Sequence, residues 1–79
     1  MVFPNPTKGS FTVSFDGSLN ENITIEIINP IGQIIYSEVI SKNEGRLSKN
    51  LDLKTAASGI YFVKVQSSND YWIERITKE

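Results

Sequence analysis

Apolar and polar residues alternate one by one along two stretches of the chain, residues 11–15 and 23–28. Successive side chains of a β-strand point to opposite faces, so a period of two is typical of a strand with one buried face. The breaker residues 16–22 separate the two stretches and predict a connecting loop. The side chains that we expect to face inward are Phe11, Val13, Phe15, Ile23, Ile25 and Ile27.

Further strands follow from the same pattern and from turn signals spaced roughly ten residues apart. Residues 29–32, Asn-Pro-Ile-Gly, predict a type I turn, since Asn, Pro and Gly are favoured at its first, second and fourth positions. Residues 60–66 are almost continuously apolar, which is typical of a central strand. The other predicted strands are 2–3, 33–41, 71–77 and 46–53, the last with Leu47, Leu51 and Leu53 on one face.

These elements predict an all-β fold, an immunoglobulin-like β-sandwich of six to seven antiparallel strands, with an open barrel as the structural alternative. Composition agrees, because 29 residues are β-branched or aromatic and only 7 are Ala, Leu or Met. A chain of 79 residues supports one core, so residues 1–79 are predicted to form a single domain. Tyr61, two residues after Gly59, predicts a tyrosine corner, in which its hydroxyl bonds to backbone a few residues upstream.

The absence of Cys and His excludes cysteine nucleophiles, the usual zinc sites and imidazole catalysis. Eight basic and nine acidic residues give a formal net charge of −1, which provides no electrostatic footprint for nucleic acid. We therefore expect no catalysis by Cys or His, no metal, no cofactor and no nucleic-acid partner. No cationic segment followed by an apolar run opens the chain, so we expect any signal peptide to be encoded elsewhere, in a longer protein.

Carboxylates and aromatic rings are the remaining candidates for chemistry. The acidic residues Asp16, Glu26, Glu38, Asp52, Asp70 and Glu74 are predicted to lie in turns or on outward strand positions, as a solvated face. The loop 16–22 is rich in oxygen ligands but lacks the order of a calcium loop. Packing is favoured over sugar stacking for Tyr36, Tyr61, Tyr71 and Trp72, and one of the neighbours Tyr71 and Trp72 must be partly exposed.

The last predicted strand, residues 71–77, ends close to the carboxyl end of the chain. Such a strand offers its unpaired backbone groups to a partner, or is a capped edge that Glu74, Arg75 and Lys78 keep from aggregating. Exposed edges also leave a homodimer open for a chain with little net charge.

Three sequence blocks together resemble one family. They are VFPNPTKGSF at 2–11, INPIGQIIY at 28–36, and the segment 53–65 with ASGIYFVKV. In this order and spacing they resemble the type A C-terminal sorting domain of type IX (Por) secretion. That resemblance implies a domain, itself without catalytic activity, at the end of a fused N-terminal cargo. It implies transit through the periplasm of a Gram-negative bacterium, followed by secretion or display on the cell surface.

The resemblance also implies partners and site residues. The partners would be the type IX translocon and its outer-membrane shuttle and sortase components, with sortase cleavage upstream of Val2. The sorting positions implied are Pro4, Asn5, Pro6, Gly9, Gly32, Gly59, Tyr61 and Lys78. Lys78 and the final strand are the expected direct contacts with the machinery, because no folding argument from sequence requires a lysine there. The alternative function is an immunoglobulin-like carbohydrate-binding or structural accessory module of a secreted protein.

Overall fold

The described part of the chain consists of β-strands and their connections. The computed structural model describes residues 2–16, 22–40, 46–67 and 71–79. The strands are β1 (Val2–Phe3), β2 (Ser10–Asp16), β3 (Ile23–Ile28), β4 (Ile34–Ile40), β5 (Arg46–Asp52), β6 (Gly59–Gln66) and β7 (Tyr71–Lys78). Each predicted strand is confirmed to within one residue at either end. Over these residues, no helix is long and apolar enough to pass through a membrane.

The strands form two separate antiparallel sheets, which confirms the sandwich over the barrel alternative. One sheet has the order β1-β2-β5, and the other has the order β4-β3-β6-β7. The apolar strand β6 lies between β3 and β7, as its sequence predicted. Each sheet therefore contains strands from distant parts of the chain, and the fold depends on long-range pairing.

The core lies between the two sheets and contains the predicted inward residues that the structure describes. Val13, Ile25 and Val63 have no exposed surface. Partly buried side chains of Tyr36, Ile40 and Trp72 pack against this core. The side chains of Phe15 and Leu47, also predicted to face inward, lie outside the described part of the structure. Among the residues whose burial is described, the buried apolar set is Val2, Phe11, Val13, Ile23, Ile25, Ile27, Leu51, Leu53, Tyr61, Val63, Val65 and Ile76.

The connection between β3 and β4 is the predicted turn. The Gly32 N–H donates to the Asn29 carbonyl oxygen at 3.0 Å, which closes the four-residue turn. The Asn29 side-chain oxygen also accepts the Gln33 N–H at 2.8 Å. Gly32 has φ of +88°, a left-handed conformation that favours glycine. The chain therefore reverses here through the turn chemistry that its sequence carries.

Two acidic residues differ from the predicted solvated face. Glu38 lies on β4 between the inward residues Tyr36 and Ile40, and its carboxylate forms an ion pair with Lys49 of the opposite sheet at 2.9 Å. Glu74 lies on β7 on the same side as buried Ile76, and accepts the Val2 N–H at 3.3 Å. Both positions border the core at a sheet edge, where a carboxylate reaches a partner without complete burial. The prediction of a solvated face was wrong for these two, and Asp70 and the side chain of Asp16 lie outside the described part of the structure.

Candidate functional site

Four segments that are distant in sequence meet at one end of the sandwich, which we call the motif end. They are residues 4–9, 29–32 and 53–61, and residues 75–79 at the end of β7 and just beyond it. The segment 4–9 leaves β1 in one sheet, reaches β7 at the edge of the other sheet, and returns to the first sheet as β2. The first strand and the last strand are thereby tied to the same connection.

Asn5 and Thr7 hold the outer edge of β7. The Thr7 N–H donates to the Thr77 carbonyl at 2.8 Å, and the Glu79 N–H donates to the Thr7 carbonyl at 2.8 Å. The Asn5 side-chain amide donates from Nδ2 to the Arg75 carbonyl at 2.9 Å, and its Oδ1 accepts the Thr77 N–H at 3.0 Å. The last strand was predicted to present a free or charge-capped edge. Its carboxyl-terminal half is instead covered by the first motif block.

Thr7 and Gly9 shape the segment that returns to the first sheet. Thr7 is 1% exposed, and its hydroxyl donates to the Ser10 carbonyl at 2.6 Å and accepts the Gly9 N–H at 3.1 Å. The Gly9 carbonyl accepts the Leu53 N–H at 2.9 Å, and a Cβ at Gly9 would lie 3.2 Å from the Lys54 side chain. Gly9 also has φ of +150°, a conformation that L side chains rarely adopt, so backbone conformation and the close Lys54 side chain together favour glycine here.

Tyr61 forms the predicted tyrosine corner. Its ring is 3% exposed, and its hydroxyl donates to the Ala57 carbonyl, four residues upstream, at 2.6 Å. The Ala56 N–H donates to the Leu53 carbonyl at 2.9 Å, which turns the chain between β5 and β6. This connection passes from one sheet to the other, so the hydroxyl fixes the crossing. The hypothesis drawn from the spacing of Gly59 and Tyr61 is confirmed.

Lys78 completes the motif end from the last strand. Its Nζ donates to the Ala56 carbonyl at 2.5 Å and to the Lys54 carbonyl at 3.4 Å. The ammonium thereby satisfies backbone oxygens of the same connection that the Tyr61 hydroxyl holds. The structure supplies a folding role for the lysine that its sequence context did not suggest. Direct contact of Lys78 with secretion machinery stays a prediction.

The other implied positions lie around these contacts. The Pro30 ring lies 3.4 Å from where a Cβ on Gly59 would stand, so the second block touches the third. Pro4 and Pro6 are exposed on either side of Asn5, and the peptide bonds that precede both prolines are cis. Gly32 lies at the exposed turn. All eight implied positions lie in the motif end. Seven of them make or flank its contacts, whereas Gly32 lies at the exposed tip of its turn, with no atom within 4 Å of where its Cβ would stand.

Comparison with known protein families settles the identity of these blocks. The family described as "Secretion system C-terminal sorting domain" matches residues 1–79. The chain belongs to this family. No curated protein matches it. As a sorting domain, it is a C-terminal signal for type IX secretion, and the protein that carries it is exported to the cell surface or secreted.

Sequence reasoning missed two features of the sorting domain. Thr7 is a buried polar residue inside the first block, and its place between Pro6 and Gly9 is the only signal that could have singled it out. The Asn5 amide was treated as a motif position, but its partners lie 70 and 72 residues away. Neither spacing nor alternation predicts contacts across that distance.

A polar cluster of Tyr36, Glu38 and Lys49 joins the two sheets at the edge that β4 and β5 form. The Tyr36 hydroxyl donates to Glu38 Oε1, and Lys49 pairs with the other carboxylate oxygen at 2.9 Å. The hydrogen bond to Glu38, with burial, raises the pKa of Tyr36 to about 12. The bonds from Tyr36 and Lys49 lower the pKa of Glu38. The cluster therefore keeps its carboxylate ionised and its phenol protonated at neutral pH.

Aromatic side chains of the sorting domain are mostly committed to packing. Tyr61 is buried, and Tyr36 and Trp72 pack against the core. Tyr71 is 66% exposed, which confirms that one of the two neighbours faces outward, and Lys64 Nζ lies 5.5 Å from its ring centroid. The calcium-loop candidate, residues 16–22, falls largely outside the described residues.

Proposed function

We propose that the folded motif end is what the type IX translocon and its outer-membrane shuttle recognise, and that the domain is a substrate without catalytic activity. The supporting observation is that two implied positions, Asn5 and Lys78, and the neighbouring Thr7 tie the last strand to distant segments of the chain. Asn5, Thr7 and Lys78 all contact residues that are distant in sequence. These contacts exist only in the folded domain, so a receptor that binds here would distinguish a folded sorting domain from an unfolded one.

The route we propose has three stages. The domain and its fused cargo cross the periplasm, the translocon exports them, and a sortase then cleaves upstream of Val2. The first block supports cleavage upstream of Val2, because Val2 is buried and residues 2–7 are tied to β2 and β7. A protease would therefore cleave the chain on the amino-terminal side of the segment that β2 and β7 hold. Mass spectrometry of the exported product would locate the cleavage.

The experiment that tests the proposal is export of a reporter. Residues 1–79 are fused behind a periplasm-targeted fluorescent protein in a type IX-competent bacterium, and the matched control is a translocon-deficient strain. We expect the reporter on the surface or in the medium of the competent strain only. A reporter that stays in the periplasm of both strains would refute the proposal.

Variants of Lys78 separate recognition from folding. Lys78→Arg keeps a cation that reaches the Ala56 carbonyl, whereas Lys78→Met keeps the apolar stem and removes the donor. If the lysine acts through the fold, both variants export in proportion to their thermal stability. If the machinery contacts the ammonium, Lys78→Met loses export at a temperature where its circular dichroism is native.

A further inference from the structure

The Asn5 side chain takes the place of a backbone amide in a parallel strand pairing. Thr7 accepts from Glu79 and donates to Thr77, which is the bonding of a residue in a parallel bridge. Two positions earlier on both segments, the Asn5 amide donates to Arg75 and accepts from Thr77. The bonding pattern is thus shifted by two residues, with a side-chain amide in place of the main chain.

Through the Asn5 side chain, residues 5–7 form the hydrogen bonds of a short strand to β7. On their other side they do not present the row of backbone donors that a regular strand would. Pro4 and Pro6 carry no N–H, so the segment offers few donors to any further chain. Residues 5–7 make four hydrogen bonds to β7, at Arg75, Thr77 and Glu79. Two of the four come from the side chain of Asn5, which is exposed.

The outer edge of β7 extends beyond residues 5–7 toward the start of the strand. Every second residue of β7 directs its backbone groups away from β6, as Arg75 and Thr77 do, and the next in this series are Ile73 and Tyr71. None of the four bonds reaches them. Their side chains are 47% and 66% exposed. A partner strand that runs along the whole of β7 would therefore make more backbone bonds than residues 5–7 make, and would gain two apolar side-chain contacts.

We propose that the outer edge of β7 binds an extended segment of a partner protein, which adds parallel to β7. In the domain without a partner, residues 5–7 occupy this edge. A partner strand displaces residues 5–7, starting from Tyr71 and Ile73 and proceeding toward Glu79. The binding itself does not depend on the proposed function. The identity of the partner as a component of the secretion machinery does rest on it.

Amide hydrogen exchange in the intact domain tests whether residues 5–7 open as a unit. Thr77 and Glu79 donate to this segment, whereas the alternate residues Ile76 and Lys78 pair with β6. We expect the Thr77 and Glu79 amides to exchange at least tenfold faster than the Ile76 amide. Asn5→Ala should raise the exchange rate of the Glu79 amide, which does not contact Asn5, by about tenfold. The exchange rate of the Ile76 amide should stay within twofold of its native value. Equal acceleration of Ile76 would mean global destabilisation and would overturn the proposal.

Peptide binding tests the edge as a receptor. The probe is a synthetic peptide of residues 2–8, Val-Phe-Pro-Asn-Pro-Thr-Lys, and the control peptide carries Ala in place of Asn. The native segment competes with the peptide, so we expect at least tenfold tighter binding to the Asn5→Ala domain than to the native domain. A nitroxide on the peptide's amino end should broaden the NMR signals of amides near Ile73 more than the signal of the Glu79 amide, because a parallel strand places its amino end beside Ile73.

The outcomes separate this inference from the proposed function. No binding up to millimolar peptide, equal binding to both domains, or broadening at Glu79 would overturn the inference, whatever the reporter does. A reporter that stays periplasmic would refute the proposed function, whatever the peptide does. Asn5→Asp is a second variant that keeps the acceptor for Thr77 and loses the donor to Arg75. It should give an intermediate effect on both exchange and binding.

Discussion

Substitution of Tyr61 by Phe isolates one hydroxyl bond of the motif end. The ring is 3% exposed, and its hydroxyl reaches the Ala57 carbonyl at 2.6 Å. Phe keeps the packing and removes the donor. Because Ala57 is exposed, water replaces the hydroxyl at its carbonyl, and the loss approaches the net value of one hydrogen bond, about 1 kcal/mol. For a domain of this size, that lowers the melting temperature by about 4–8 °C.

Urea unfolding followed by Trp72 fluorescence measures this change. The matched control is Tyr71→Phe, because the Tyr71 ring is 66% exposed and its substitution should stay within about 0.5 kcal/mol of the native value. Tyr61→Ala also removes the ring and should cost about 3–5 kcal/mol. If Tyr61→Phe matched the native domain while Tyr61→Ala unfolded it, the ring alone would stabilise the corner, and the argument from the hydroxyl would be wrong.

Three further predictions concern the turn, the lysine and the polar cluster. Gly32→Ala should lower the free energy of unfolding, measured in urea, by about 1–2 kcal/mol. The loss comes from φ of +88° alone, since no atom lies within 4 Å of the added Cβ, and Gly32→Asn should recover most of it. Lys78→Met should lower the free energy of unfolding by about 1–3 kcal/mol because the Ala56 carbonyl loses a charged donor, with Lys78→Arg closer to native. The lowered pKa of Glu38 gives stability that is present above its unfolded pKa of about 4.3 and is lost as pH falls through the folded pKa. The stability difference between native and Glu38→Gln domains should therefore be constant at neutral pH and vanish on acidification, and a constant difference down to pH about 2 would contradict the ion pair.

Local chemistry explains what the sequence could predict. Alternation with a period of two predicted the strands and the inward residues, because the pleat places neighbouring side chains on opposite faces. The Asn29 to Gly32 turn and the Tyr61 corner were predictable because all of their partners lie within four residues. The position of Glu38 was predicted wrongly because the alternation pattern contains only local information. Its partner Lys49 belongs to the other sheet, and without that partner a carboxylate is expected to face solvent.

The contacts that could not be predicted are those that join the two ends of the domain. Asn5 and Thr77 are 72 residues apart, and their bond requires β1 and β2 in one sheet and β6 and β7 in the other. Loop closure over such distances costs entropy that only the completed core offsets. The contacts of residues 5–7 with the edge of β7 therefore require both sheets to be in place. A partner strand that displaced these residues, as we propose, would need both sheets in place, but it would compete with the contacts that Asn5 and Thr7 make to β7. Those contacts would therefore limit binding at this edge while they stabilise the domain.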